Sequence, residues 1–247
     1  MKEYSLKPNN LMINDFYKKE KENFIKKFVS KKNEVFLYEI TDYEKKKYVV
    51  LKKFENEEYF NTELSIFKHL IVICNETKKL NSKEIKNPIE FPNLLNYDTK
   101  KFILITEYID GCTVLDLLEN CEKNNYIKKA GFILIKVLEW LEKFYSVMGT
   151  EKNEILGDIN LRNFIISNNK IFGLDFENVK TGDRKLEIID VLAMYMLYNP
   201  AISEFKESVL DLVKKVYLKS KMYFQNMDEF SIILENRMEK IKIRRNL

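Results

Sequence analysis

The chain has 247 residues, 45% of them apolar and 32% charged, enough to bury a sizeable core and too apolar for wholesale disorder. Lys and Arg outnumber Asp and Glu by only 42 to 38, and the net charge of +4 is too small to argue for a dedicated nucleic-acid binder; the longest apolar runs fall far short of the roughly 20 residues a membrane span needs. Three cysteines (Cys74, Cys112, Cys121) without CxxC spacing and a single His, His69, exclude a Cys/His metal cluster, and with no signal-peptide core in Met1 to Asn10 the expected location is the cytoplasm, with reduced thiols.

In chain order, residues 1 to 23 are rich in Lys, Asn and Glu and read as a leading surface segment. Three runs of β-branched and aromatic residues follow: Phe24 to Val29, Glu34 to Ile40 and Tyr48 to Phe54. Polar turn-like stretches separate them, which predicts an antiparallel meander. Phe60, Leu64, Phe67, Leu70, Ile71 and Cys74 then recur at helical spacing, the stripe of one amphipathic helix. A polar loop ending at Pro88 and Pro92 leads to a strand over Lys101 to Ile109, closed by Asp110-Gly111. Thr113 with Asp116 three residues later predicts the cap of a new helix. Ile127 to Tyr145 reads as a long helix that buries Leu138, Trp140 and Leu141.

Two short apolar runs, Asn163 to Ser167 and Lys170 to Leu174, flank Asn168-Asn169. That pattern predicts a small hairpin. From Lys185 onward helical patterns dominate, broken near Pro200 and Asn226. The basic C-terminal residues Arg237, Lys240, Lys242, Arg244 and Arg245 read as a solvated face.

The chemistry-bearing residues cluster around the hairpin. Asp158 and Asn163 are separated by four residues, and Asp175 follows the second apolar run. A two-stranded turn returns the chain to its starting level, so Asn163 and Asp175 are expected side by side. An amide oxygen and a carboxylate, completed by water and phosphate oxygens, make the all-oxygen set that Mg²⁺ prefers. Upstream, Lys52 ends the apolar strand Tyr48-Val49-Val50-Leu51-Lys52, and Glu63 lies on the helix that follows. Lys53 is the competing lysine; strand alternation favours Lys52, which shares a face with Val50.

Lys52, Glu63, Glu107, Asp158, Asn163 and Asp175, in this order over roughly residues 24 to 190, resemble the protein kinase-like superfamily. Gly157-Asp158 without a preceding Arg, Asp175-Phe176-Glu177, and Asp190 in Asp190-Val191-Leu192-Ala193 look most like its aminoglycoside and choline phosphotransferase branch, in which such an Asp opens a helix. The resemblance implies an α+β, bilobal fold: a nucleotide-binding lobe over 1–106, with an antiparallel sheet and one helix, and a mostly helical catalytic lobe over 107–247. It also implies ATP and Mg²⁺ as cofactors and a small-molecule acceptor such as an aminoglycoside-like sugar or an amino alcohol. Asp158 would orient and deprotonate the acceptor hydroxyl, and Asn163 and Asp175 would hold the metal. Lys52, paired with Glu63, would neutralise the phosphates and Arg162 would add charge near the γ-phosphate. Val50 and Ile165 would enclose the adenine, hydrogen-bonded by the backbone of Glu107 and Ile109.

The sequence departs from the family at Leu156, where a His is common, and at Ser30 to Asn33, which has no glycine. Lys31, Lys32 and backbone amides would replace the glycine-rich phosphate cover. Only 14 residues lie between Asp175 and Asp190, little room for a peptide-docking segment, which favours a small acceptor. Two other readings stand beside this one: a compact RIO-like protein kinase, and a nucleotide-binding pseudokinase without transfer activity.

Overall fold

The computed structural model describes residues 23–30, 32–42, 45–80, 89–149, 153–221 and 226–245. The leading segment before Asn23, Lys31 and Pro88 lie outside these. Among the described residues the protein is mixed α and β, with an antiparallel sheet and six helices of ten or more residues. It divides into two compact units. The first holds the described residues up to His69 together with Phe91–Asp110; the second holds those of Leu70–Glu90 and Gly111–Leu247. The chain passes between them inside one helix, near Glu90 and at Asp110–Gly111, where a single boundary after residue 106 was expected.

The first unit is built on strands β1 (Phe24–Phe28), β2 (Glu34–Asp42), β3 (Lys45–Lys53), β4 (Leu94–Asp98) and β5 (Ile103–Glu107), in sheet order β1-β2-β3-β5-β4. All neighbours are antiparallel, and β1, β2 and β3 form the expected meander. Alternation decides the faces of β3. Val49 and Leu51 are buried in one cluster with Tyr38, Ile103 and Ile105, while Val50 and Lys52 point to the opposite face, as a period of two requires. Helix α1 (Glu57–Leu80) begins in this unit. Phe60 lies within 5.7 Å, ring to ring, of both Phe54 and Phe102.

In the second unit, β6 (Cys112–Thr113) leads directly into α2 (Val114–Lys123), and Thr113 Oγ1 accepts the Asp116 N–H at 3.1 Å. This is the cap expected from the sequence. Then come α3 (Ile127–Met148), β7 (Glu154–Ile155), a 3₁₀ turn (Leu161–Asn163), β8 (Phe164–Ser167), β9 (Lys170–Gly173) and β10 (Lys180–Thr181). Helices α4 (Arg184–Leu197), α5 (Glu204–Val213) and α6 (Met227–Arg245) complete the unit, with a π-helical turn over Lys214–Leu218 after α5.

α4 is apolar on nearly every side. Glu187 to Leu197 are all buried except Asp190, the signature of a helix at the centre of a packed domain. It packs on α3, α5 and α6. Asp183, not Asp190, opens this helix: its side chain accepts the N–H groups of Lys185 and Leu186. Asp190 sits in the helix interior and is paired with Arg237 of α6, so that arginine belongs to a helix contact and not to a solvated basic face. No helix among the described residues is long and apolar enough to cross a membrane.

Candidate active site

In the second unit, β8 and β9 form a two-residue hairpin with Phe164 opposite Gly173 and Ser167 opposite Lys170. Asn168 and Asn169 both have positive φ, +48° and +63°, the conformation of a type I′ turn, and asparagine tolerates it better than most residues. The hairpin brings its two ends together: the Leu174 N–H donates to the Asn163 carbonyl at 2.8 Å. Asn163 and Asp175 therefore lie at adjacent ends of one ladder.

The turn before β8 is held by its own side chains. Asn160 donates its N–H to Asp158 Oδ1 at 3.2 Å, and Asn160 Oδ1 accepts the Arg162 N–H at 3.0 Å. Asn163 Nδ2 donates to the Asp158 carbonyl at 3.4 Å, so its Oδ1 is the atom left to act as a ligand. Asp158 and Asn163 are half-buried, and the Arg162 side chain is exposed. Ile165, in β8, is half-buried opposite Phe172.

Asp175 has φ +62°, a left-handed conformation uncommon for a residue with a side chain and concentrated at functional sites. The next residue is anchored in the core. Phe176 is fully buried, its ring parallel to those of Phe144 and Trp140 at 6.2 and 6.5 Å, burial that stabilises by about 2 to 3 kcal/mol. Trp140 is itself tied down through Nε1 to the Glu90 carbonyl at 2.8 Å. Glu177 is also buried, and one of its carboxylate oxygens lies within 4.8 Å of one from Asp175. An amide oxygen, a carboxylate and a second carboxylate close by fit a hard divalent cation such as Mg²⁺, with coordination positions left for water or phosphate. Glu177 thus stands beside Asp175, one of the two residues expected from the sequence to hold a metal.

The segment before Asp158 is anchored by a residue to which the sequence reading assigned no role. Glu187 is 3% exposed; one of its oxygens accepts the Gly157 N–H at 2.7 Å, and the other accepts the Leu156 N–H at 3.0 Å and the Tyr145 hydroxyl at 2.8 Å. Gly157 has φ +75°, and a Cβ there would meet the Asn178 carbonyl oxygen at 2.3 Å. Both the conformation and the close approach require glycine at this position. Burial pushes the Glu187 carboxyl above its ordinary value of 4.5; the Gly157, Tyr145 and Leu156 donors pull it back, and Asp190 adds to the rise.

Because the folded value exceeds the unfolded one, the Glu187 contribution to stability is full below about pH 4.5 and declines as pH rises through the folded value. Glu187→Gln lacks this titration and sets an amide NH₂ against backbone or phenol donors. It should be about 1 to 3 kcal/mol less stable at low pH, with the deficit narrowing as pH rises. Urea unfolding between about pH 4 and 8 checks this, and a deficit that does not change with pH would disprove the raised carboxyl.

In the first unit, Lys52 Nζ donates to Glu63 Oε2 at 2.6 Å, with side chains 14% and 5% exposed, and lies 4.6 Å from the centre of the Phe54 ring. Lys53 is exposed and, among the described residues, its ion pair is with the half-buried Glu34 at 3.5 Å. Lys52 is thus the lysine held by the helix. Removing one member of a buried ion pair leaves the other charge in a low-dielectric site, so Lys52→Met should cost about 3 kcal/mol, measured by denaturant unfolding; a loss below about 0.5 kcal/mol would place the pair effectively in solvent. Val50 is half-buried on the Lys52 face. Glu107 ends β5 opposite Val49, its carboxylate accepting from Asn93 Nδ2 at 2.7 Å, and Ile109 is buried.

No protein-family model matches this chain, and no curated protein does.

Proposed function

We propose that the protein is an ATP-dependent phosphotransferase of bilobal, protein kinase-like fold that moves a γ-phosphoryl group onto a hydroxyl of a small acceptor, an aminoglycoside-like sugar or an amino alcohol. The observation that carries this reading is the convergence of Asp158, Asn163 and Asp175 at the base of one hairpin, with Asp175 in a left-handed conformation beside the buried Phe176. Phosphoryl transfer requires an aligning carboxylate beside oxygen ligands for a metal, and these residues provide both.

In this reading Asp158 orients the acceptor hydroxyl and takes its proton while the new O–P bond forms and the bond from the γ-phosphorus to the β-phosphate oxygen breaks, leaving ADP. Asn163 and Asp175, with Glu177 beside them, would hold Mg²⁺, which when bound neutralises charge on the phosphate oxygens. Lys52, held by Glu63, takes the α- and β-phosphates, and Arg162 adds charge near the γ-phosphate. Val50 and the backbone of Glu107 and Ile109, all in the first unit, receive the adenine.

A small acceptor is favoured by the short path after the metal ligands. Between Asp175 and the start of α4 at Arg184 the chain is occupied by the buried Phe176 and Glu177 and by β10, which pairs with β7. No stretch there is long enough to dock a peptide.

The test is ADP release by the purified protein with ATP, Mg²⁺ and a panel of aminoglycosides, sugars and amino alcohols. ADP release stimulated by one such acceptor and abolished by chelator is the expected result. Transfer to protein acceptors alone would replace the reading with a protein kinase. Nucleotide binding without turnover across the panel would make the protein a pseudokinase.

A further inference from the structure

A polar chain in the second unit runs from the first turn of α5 to the turn that carries Asp158, and the reading above assigns it no role. Tyr198 caps the C-terminus of α4. Its hydroxyl donates to Asn160 Oδ1 at 2.9 Å and accepts the Leu161 N–H at 3.2 Å. One phenol thus binds two successive residues of the turn, and the first of these donates its own N–H to Asp158 Oδ1.

The main chain of Tyr198 is held from the other side. Lys206, in α5, is 2% exposed and donates through Nζ to the carbonyls of Tyr198 and Pro200, the second at 2.6 Å. The same ammonium lies 3.8 Å from Glu122 Oε2, and the other Glu122 oxygen accepts the Ser203 hydroxyl. A buried ammonium needs its acceptors. If the Tyr198 and Pro200 carbonyls moved away, this buried charge would lose both of its close acceptors and keep only the longer contact to Glu122.

We infer that Tyr198 is a positioning residue for Asp158: Lys206 fixes the tyrosine backbone, and the tyrosine hydroxyl fixes the Asn160–Leu161 turn on which the Asp158 carboxylate rests. The catalytic consequence rests on the phosphotransferase reading. Misplacing a reacting group by about 1 Å costs on the order of a hundredfold in rate, and the Asn160 N–H is a direct link between this turn and the Asp158 carboxylate.

Tyr198→Phe keeps the ring and removes only the hydroxyl. The expected result is a fall of about 10- to 100-fold in kcat for acceptor phosphorylation, with KM for ATP within about twofold of wild type and faster hydrogen exchange at the Leu161 amide. Asn160→Ala should give a similar loss, and the double variant should lose little more than either single one, because the two side chains act as a unit. A lower Tm with kcat unchanged would overturn the inference, as would additive losses in the double variant. Leu161 exchange separates this inference from the reading it rests on. If the wild-type protein phosphorylates no acceptor, the phosphotransferase reading fails, yet faster Leu161 exchange in Tyr198→Phe still supports the tyrosine as the clamp on the turn, and unchanged exchange overturns it.

Discussion

Replacing Asp158 by Ala or by Asn is expected to lower Mg²⁺-dependent phosphoryl transfer by about 10³-fold, within the range assigned to a positioned general base. The two substitutions separate chemistry from geometry. Asp158 Oδ1 accepts the Asn160 N–H, so alanine removes both the proton acceptor and a support of the turn. Asparagine retains an oxygen for that bond and replaces the other with an NH₂ group that can neither accept a proton nor orient a hydroxyl for attack. Equal losses in the two variants identify the carboxylate itself. Recovery in Asp158→Asn would reduce Asp158 to a support of the loop, and activity within about twofold of wild type in both would remove it from the reaction.

The second large effect is expected at Asp175. Asparagine is the informative substitution because it tolerates the left-handed backbone observed here at φ +62°, whereas alanine would add strain to the loss of charge. Asp175→Asn keeps one oxygen ligand and removes the negative charge. Half-saturating Mg²⁺ for turnover should rise about 10- to 100-fold, the scale on which weakened ligation is felt, and kcat should fall at least as far. Tm should stay near wild type, since Phe176 still anchors the segment. An unchanged Mg²⁺ requirement would show that the hairpin base does not hold the metal.

Much of this architecture was legible because it is encoded locally. The meander follows from β-branched and aromatic runs between polar turns, the α2 cap from Thr113 and Asp116, and the hairpin from paired asparagines between two apolar runs. Lys52 could be set apart from Lys53 because strand alternation fixes the face of each. What the sequence did not disclose are charged residues whose partners lie far along the chain. Glu187 follows Arg184 and Lys185 and reads as surface charge; only the packed α4 shows it receiving the backbone of Leu156 and Gly157. Lys206 stands between Glu204 and Glu207, with no local sign that it is buried against two carbonyls. Asp190 matched a family pattern in spacing, but its partner Arg237 lies on α6, and no local signal distinguishes a helix-opening Asp from one facing another helix. Tyr198 carries no motif at all.

The β8–β9 hairpin also sets how this stretch of gene can change length. Because the ladder starts beside Asn163 and ends beside Asp175, it works as a ruler between the two proposed metal ligands. One residue inserted within either strand would displace a ligand by about 3.4 Å and turn the following side chains to the opposite face. The Asn168–Asn169 tip bears no such restriction, since a longer loop there leaves the four-rung register intact. Insertions and deletions compatible with activity should therefore be confined to the tip, and a deep insertion scan of residues 163–175 would read out as a single tolerant notch between two intolerant arms.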